Sequence, residues 1–122
     1  MNMMKPTVVL GASTNAGRYS YMAVVKLKEY GHPVYPVGIK SGDIDGLSIY
    51  TNKPLFNDVH TVTIYLSAKN QIDWMDYILN LKPRRLIFNP GAENDELKVK
   101  AEKMHIECLY ACTLVMLSIG NY

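Results

Sequence analysis

The stretch "VVLGASTNAGRYSYMAVVKLKEYG", residues 8–31, joins an apolar, strand-like run to a helix-like one through a loop of small residues. Thr7-Val8-Val9-Leu10 is short, β-branched and apolar, which predicts a buried strand ending at Gly11. From about Ser20 to Tyr30 the period changes. Tyr21, Val24, Val25 and Leu27 fall near helical spacing, and Gly31 suits a C-terminal cap. Between strand and helix lies a loop of small polar residues and one arginine. Backbone N–H groups at such a junction point outward, and the helix dipole favours a negative charge there. Phosphate is the natural guest. Gly11 and Gly17 let the backbone come close, Ser13, Thr14 and Asn15 can add side-chain donors, and Arg18 can add a charged one. The competing reading is a tight strand-to-helix turn that holds nothing.

Outward from this unit the same alternation continues. Val34–Val37 predicts a second strand, although Pro36 is awkward in a central one. Residues 41–58 are punctuated by Gly, Asp, Asn and Pro and read as loop, with a small edge strand over Leu47–Tyr50. Val62–Leu66 is a strong strand. Ile72, Met75 and Leu79 then predict a helix that ends before Pro83. Arg85–Phe88 is a strand broken by Asn89-Pro90-Gly91. Asn94 is an N-cap for a helix carrying Leu97, Ala101 and Met104 on one face, with Asp95 and Glu96 in its first turn. Ile106–Leu109 is a last strand, and Thr113–Ile119 a closing helix. Strands alternating with helices imply an α/β fold: a doubly wound parallel sheet of about five strands in three α/β/α layers. In such sheets ligands bind beyond the carboxyl ends of the strands, where strand order reverses. The unusual loops follow Leu10, Val37, Leu66, Phe88 and Leu109, so all converge on one edge.

Composition fits one ordinary domain over residues 1–122, with 48% hydrophobic and 20% charged residues. A net charge of +2 supplies no broad basic field for nucleic acid. No apolar run approaches the roughly 18 residues of a membrane span, and the N-terminus lacks the pattern of a signal peptide. Two cysteines four residues apart make no disulfide framework, so a cytoplasmic protein with reduced thiols is expected.

Spacing narrows the phosphate ligand. A nucleotide P-loop would need glycine at Ala16 and lysine at Gly17; a GxGxxG dinucleotide loop would need glycine at Ser13. The tip of the second strand reads Val37-Gly38-Ile39-Lys40, without the Asp or Glu that binds the ribose of NAD. Lys40 suits a phosphorylated ribose instead, either the 3′-phosphate of coenzyme A or the 2′-phosphate of NADP. Its alternative is a solvated surface lysine.

Taken together, "GASTNAGRYSY", "GHPVYPV", "IYLSA", "NPGAEN" and "CTLVML" resemble the small single-domain CoA-binding proteins, which are related to the CoA-binding domain of the succinyl-CoA synthetase alpha subunit. The resemblance runs from Thr7 to about Leu117. It implies a Rossmann-like sheet with coenzyme A as ligand, the diphosphate on the first loop and the nucleotide across the crevice. Carried over residue by residue, it implies contacts from Gly11, Ser13, Asn15, Gly17, Arg18 and Ser20, from Ser67 and Ala68, and from Asn89, Pro90 and Gly91. The chain departs from the family at Gly38-Ile39, where Asn-Pro is common, and at Phe88-Asn89-Pro90-Gly91, where Trp-x-Gln-x-Gly is common. The synthetase subunit continues into a domain with a phosphorylated histidine. His32, His60 and His105 match no such motif and read as surface residues, so ligase activity is not expected of this chain.

Cys108 reads as core. Cys112, at the start of the closing helix, is a candidate for the site, where a thiol's acidity can rise and a mixed disulfide with coenzyme A could form. With His105 these cysteines are too few for a closed zinc site. Tyr21 and Tyr65 are expected in or near the core. Tyr19, Tyr35 and Tyr50 are expected mainly as packing residues. The carboxylates form no acid pair, and no nucleophile–base–acid set is visible. The expectation is a coenzyme A or acyl-CoA binding module without catalysis of its own. Its rivals are an NADP-dependent oxidoreductase and a regulatory protein with a vestigial nucleotide pocket. No protein partner is indicated.

Overall fold

The computed structural model describes residues 3–122. Its centre is a five-stranded parallel sheet built from β1 (Thr7–Leu10), β2 (Val34–Val37), β5 (Thr61–Ile64), β6 (Arg85–Phe88) and β7 (Glu107–Tyr110), in the order β2-β1-β5-β6-β7. The helices are α1 (Tyr19–Glu29), α2 (Ala68–Gln71), α3 (Met75–Asn80), α4 (Asp95–Lys103) and α5 (Thr113–Ser118). The expected doubly wound α/β fold is therefore the one observed. After β2 the chain crosses back over β1 to begin β5 on its other side. This reversal leaves a crevice between the loops that follow β1 and β5.

Strand residues alternate between two cores, as a pleated sheet covered on both faces requires. Val8, Leu10, Val62, Ile64, Leu86 and Phe88 face one way, against Ile78 of α3 and Leu97 and Ala101 of α4. Val9 and Ile87 face the other way, with Val24 and Leu27 of α1 and Met116 and Leu117 of α5. Pro36 is tolerated because β2 is an outer strand of the sheet. Gly31 ends α1 as expected, at φ +86°, where its N–H reaches Lys28 O and the N–H of His32 reaches Leu27 O, a double C-terminal cap. Asn94 caps α4 by accepting from the Leu97 N–H at 3.2 Å.

Three elements differ from the sequence reading. The helix expected from Ile72 begins earlier, at Ala68, and is broken by a 3-10 turn at Ile72–Trp74 before α3. A hairpin, β3 (Asp43–Ile44) with β4 (Leu47–Ser48), forms in the segment expected as loop and edge strand, and Ile44 is buried in the core with Val24 and Leu27 of α1. The hairpin is tied to α1 by Lys28, whose Nζ lies 3.5 Å from Asp45 Oδ2. His32 and His60 are half-buried rather than superficial, because both pack at the amino end of the sheet beside Lys5 and Arg85.

Candidate functional site

A cleft of about 550 Å³ opens at the carboxyl ends of β1, β2 and β5. Its floor is the first loop: Gly11, Ala12, Ser13 and Thr14, followed by Arg18, Tyr19 and Ser20 at the start of α1. Gly11 takes φ +92°, a conformation open to glycine, and a Cβ there would press on Leu66 at 3.1 Å. The N–H groups of Gly11 and Ala12 both donate to Val37 O, at 2.9 and 3.0 Å, which ties the loop to the tip of β2. Arg18 is the N-cap residue of α1, and no side chain caps that helix. The first-turn amides of an uncapped helix are ready donors to an anion.

One wall comes from the turn after β2: Gly38, Ile39, Lys40 and Ser41. The other comes from β5 onward: Tyr65, Leu66, Ser67, Asn70 and Trp74, with Pro90 from the β6 loop. Among the described residues the cleft's only charged liners are Arg18 and Lys40, and no carboxylate lines it. The Tyr65 hydroxyl is buried and, among the described residues, has no hydrogen-bond partner; burial raises its pKa. A second concavity of about 400 Å³, between α1 and α5, is lined mainly by apolar side chains such as Met22, Val25 and Leu114. It lies on a helical face away from the strand ends, and among the described residues Lys26 is the only charged side chain that lines it.

Of the residues singled out in the sequence, Gly11, Ser13, Thr14, Arg18, Ser20, Lys40, Ser67 and Pro90 come together in this cleft. The others fall outside its lining. Asn15 and Gly17 lie exposed on the outer part of the loop, where Asn15 Oδ1 accepts from the Gly17 N–H at 2.9 Å. Ala68, the first residue of α2, and Gly91, in the loop after β6, are both exposed. Asn89 points into the protein. It donates to Thr63 Oγ1 at 2.7 Å and to Ile64 O at 3.0 Å, and accepts from the Thr113 N–H at 2.9 Å. Its amide thus braces the sheet against α5. Cys112 is half-buried as the N-cap residue of that helix. Burial pushes the Cys108 thiol up to about 11. Among the described residues no group of three or more His, Cys, Asp and Glu is arranged to hold a metal, and no helix is long and apolar enough to cross a membrane.

Tyr19 lines the cleft, whereas Tyr35 stacks on Phe56 at 4.0 Å and Tyr50 meets the edge of the same ring. Sequence reading missed Gly38, Ile39, Asn70 and Trp74. Gly38 carried a signal, a glycine directly after a strand. Asn70 sits on a four-residue helix too short to show a period.

An open, doubly wound parallel sheet with a cleft at its switch point defines the Rossmann-like α/β class. Sequence comparison is more specific: residues 5–118 match the family model described as "CoA binding domain". The chain belongs to this CoA-binding domain family. It is similar to an uncharacterized protein of known crystal structure, with 46% identity, a TM-score of 0.97, and coverage of 99% of this chain and 100% of that one. A hypothetical protein from Pyrococcus horikoshii OT3 shares the fold at 20% identity and TM-score 0.85, covering 95% of this chain and 83% of that one. The fold also recurs in a probable 2-hydroxyacid dehydrogenase from Rhizobium etli solved with NADP, at 16% identity and TM-score 0.62; the match spans 88% of this chain but 38% of that one. No curated protein matches the sequence.

Proposed function

We propose that this protein binds coenzyme A, free or acylated, in the switch-point cleft and performs no chemistry of its own. The observation that carries the reading is the charge pattern of the cleft: two cations, no carboxylate among the described lining residues, and a helix start at Arg18 without a side-chain cap. Family membership supports coenzyme A as the ligand class. In this reading the diphosphate sits on the Gly11–Ser20 loop, held by backbone amides and Arg18. Lys40, on the β2 side, meets the 3′-phosphate of the ribose. Ser67, Asn70, Trp74 and Pro90, on the opposite side, receive the pantetheine arm. Ser67 and Asn70 offer hydrogen-bonding groups to its amides, and Trp74 and Pro90 offer apolar surface.

Calorimetric titration with coenzyme A, NADPH and NADH in parallel tests the proposal. Micromolar affinity, about 8 kcal/mol, is expected for coenzyme A. Tighter binding of NADPH would replace this reading with a reductase, since a 2′-phosphate would suit Lys40 equally well. No binding of any of the three would leave the protein with a vestigial pocket.

A further inference from the structure

Behind the cleft, and absent from its lining, lies Gln71, the last residue of α2. It is fully buried. A buried glutamine is costly unless its amide is satisfied, and this one is joined at both ends. Its Nε2 donates to Leu66 O at 2.8 Å and to Ala92 O at 2.7 Å. Its Oε1 accepts from Asn94 Nδ2 at 2.8 Å, while Asn94 Oδ1 accepts from the Leu97 N–H as the cap of α4. Two carbonyls on one side and one amide donor on the other fix which way round the glutamine sits.

The consequence is geometric. Leu66 belongs to the loop after β5, and Ala92 and Asn94 to the loop after β6. These loops present Leu66, Ser67 and Pro90 to the cleft. No backbone hydrogen bond joins residues 65–72 to residues 90–94. We infer that Gln71 is a positioning residue for the half of the ligand site remote from Lys40: it sets the separation of the β5 and β6 loops and so preorganises the surface for an extended, amide-bearing arm. The inference rests on the coenzyme A reading of the cleft. It assigns Gln71 no contact with the ligand. Its contribution is the ordering cost that the two loops would otherwise meet on binding.

A fragment that fills only the near half separates this role from a general structural one. Adenosine 3′,5′-bisphosphate carries the phosphorylated ribose but no pantetheine arm. Gln71→Leu should weaken coenzyme A about tenfold and leave the bisphosphate within about twofold, as loss of preorganisation confined to one half requires. Calorimetry reads both affinities, at a temperature where circular dichroism shows the variant folded. Should Gln71→Leu not fold, Asn94→Asp carries the same test. It keeps the acceptor for the Leu97 N–H but removes the donor to Gln71. Equal weakening of both ligands, or no change in either, would overturn the inference while the coenzyme reading stood. A wild-type protein that bound neither ligand would overturn that reading first, and this inference with it.

Discussion

A Cβ placed on Gly38 would stand 2.6 Å from the carbonyl oxygen of Ala12. The turn after β2 and the loop after β1 are therefore in backbone contact, and only a residue without a side chain fits between them. Gly38 also donates its N–H to Tyr50 O at 3.0 Å, so it cannot simply swing away. Gly38→Ala must push the β2 turn off the first loop. The expected result is a loss of about 1–3 kcal/mol of stability, the usual cost of overpacking, together with weaker coenzyme A binding. A thermal melt paired with calorimetry checks it. A variant with wild-type melting and affinity would show that the two loops move apart freely.

Gly17 poses the opposite case. An added Cβ there would meet only Asn15 Oδ1, at 3.3 Å, and the backbone is not left-handed. The fold does not need this glycine. If the diphosphate reaches the outer part of the loop, Gly17→Val should block binding while the far-UV spectrum and melting temperature stay native. Unchanged affinity would confine the ligand to the inner residues, Gly11 to Thr14.

Lys40 is exposed on the wall opposite Ser67. Lys40→Ala should weaken coenzyme A about tenfold, the lower end of what a charge-assisted hydrogen bond supplies, because solvent screens it. Dephospho-coenzyme A, which lacks only the 3′-phosphate, should bind both proteins alike. Parallel titrations decide the matter; equal losses for the two ligands would assign Lys40 to something other than that phosphate.

The thiols should also differ. Cys108 Sγ lies 3.6 Å from Ile106 O and its thiol is raised by burial. Reagents act on the thiolate, so at about pH 8 Cys112 should label first. Since Cys112 does not line the cleft, coenzyme A should not slow its labelling. Protection by the ligand would bring Cys112 back into the site.

At the amino end of the sheet, His32 Nδ1 accepts from the Lys5 N–H at 3.0 Å. His60 Nδ1 lies 2.8 Å from Thr61 Oγ1, which already accepts from Arg85 Nε and so has its own hydrogen to give. To accept at Nδ1 the His32 imidazole must be neutral. Burial, then Lys5 and Arg85, lowers the pKa of His32; burial, then Arg85, Lys5 and Arg84, lowers that of His60, partly opposed by Glu107. The unfolded chain therefore takes up these protons first. Their contribution is present above the unfolded value of about 6.5 and is lost as pH falls through the lower folded values. Urea midpoints should drop between neutral and mildly acid pH. A His32→Gln, His60→Gln double variant should flatten that slope, and an unaltered slope would locate the acid sensitivity elsewhere.

Strand–helix alternation, and through it the parallel doubly wound sheet, was legible from the residues alone, because apolar period and capping residues act locally. Val8-Val9-Leu10, the Gly31 cap and the Asn94 cap all needed only their neighbours in the chain. The sequence also pointed to an anionic ligand, since Gly11 and Lys40 follow strand ends and Arg18 stands at a helix start. Tertiary structure decided the rest. Asn89 follows a strand end, as a ligand-binding residue would, yet α5 packs over it and takes its amide. Gly38 became indispensable only because Ala12, distant in sequence, lies against it. Gln71 looks like a polar residue on a short helix; two carbonyls and an asparagine brought together by folding make it the brace of the cleft. Each of these depends on which backbone groups are left without partners once the sheet has closed, a condition that local propensity does not contain.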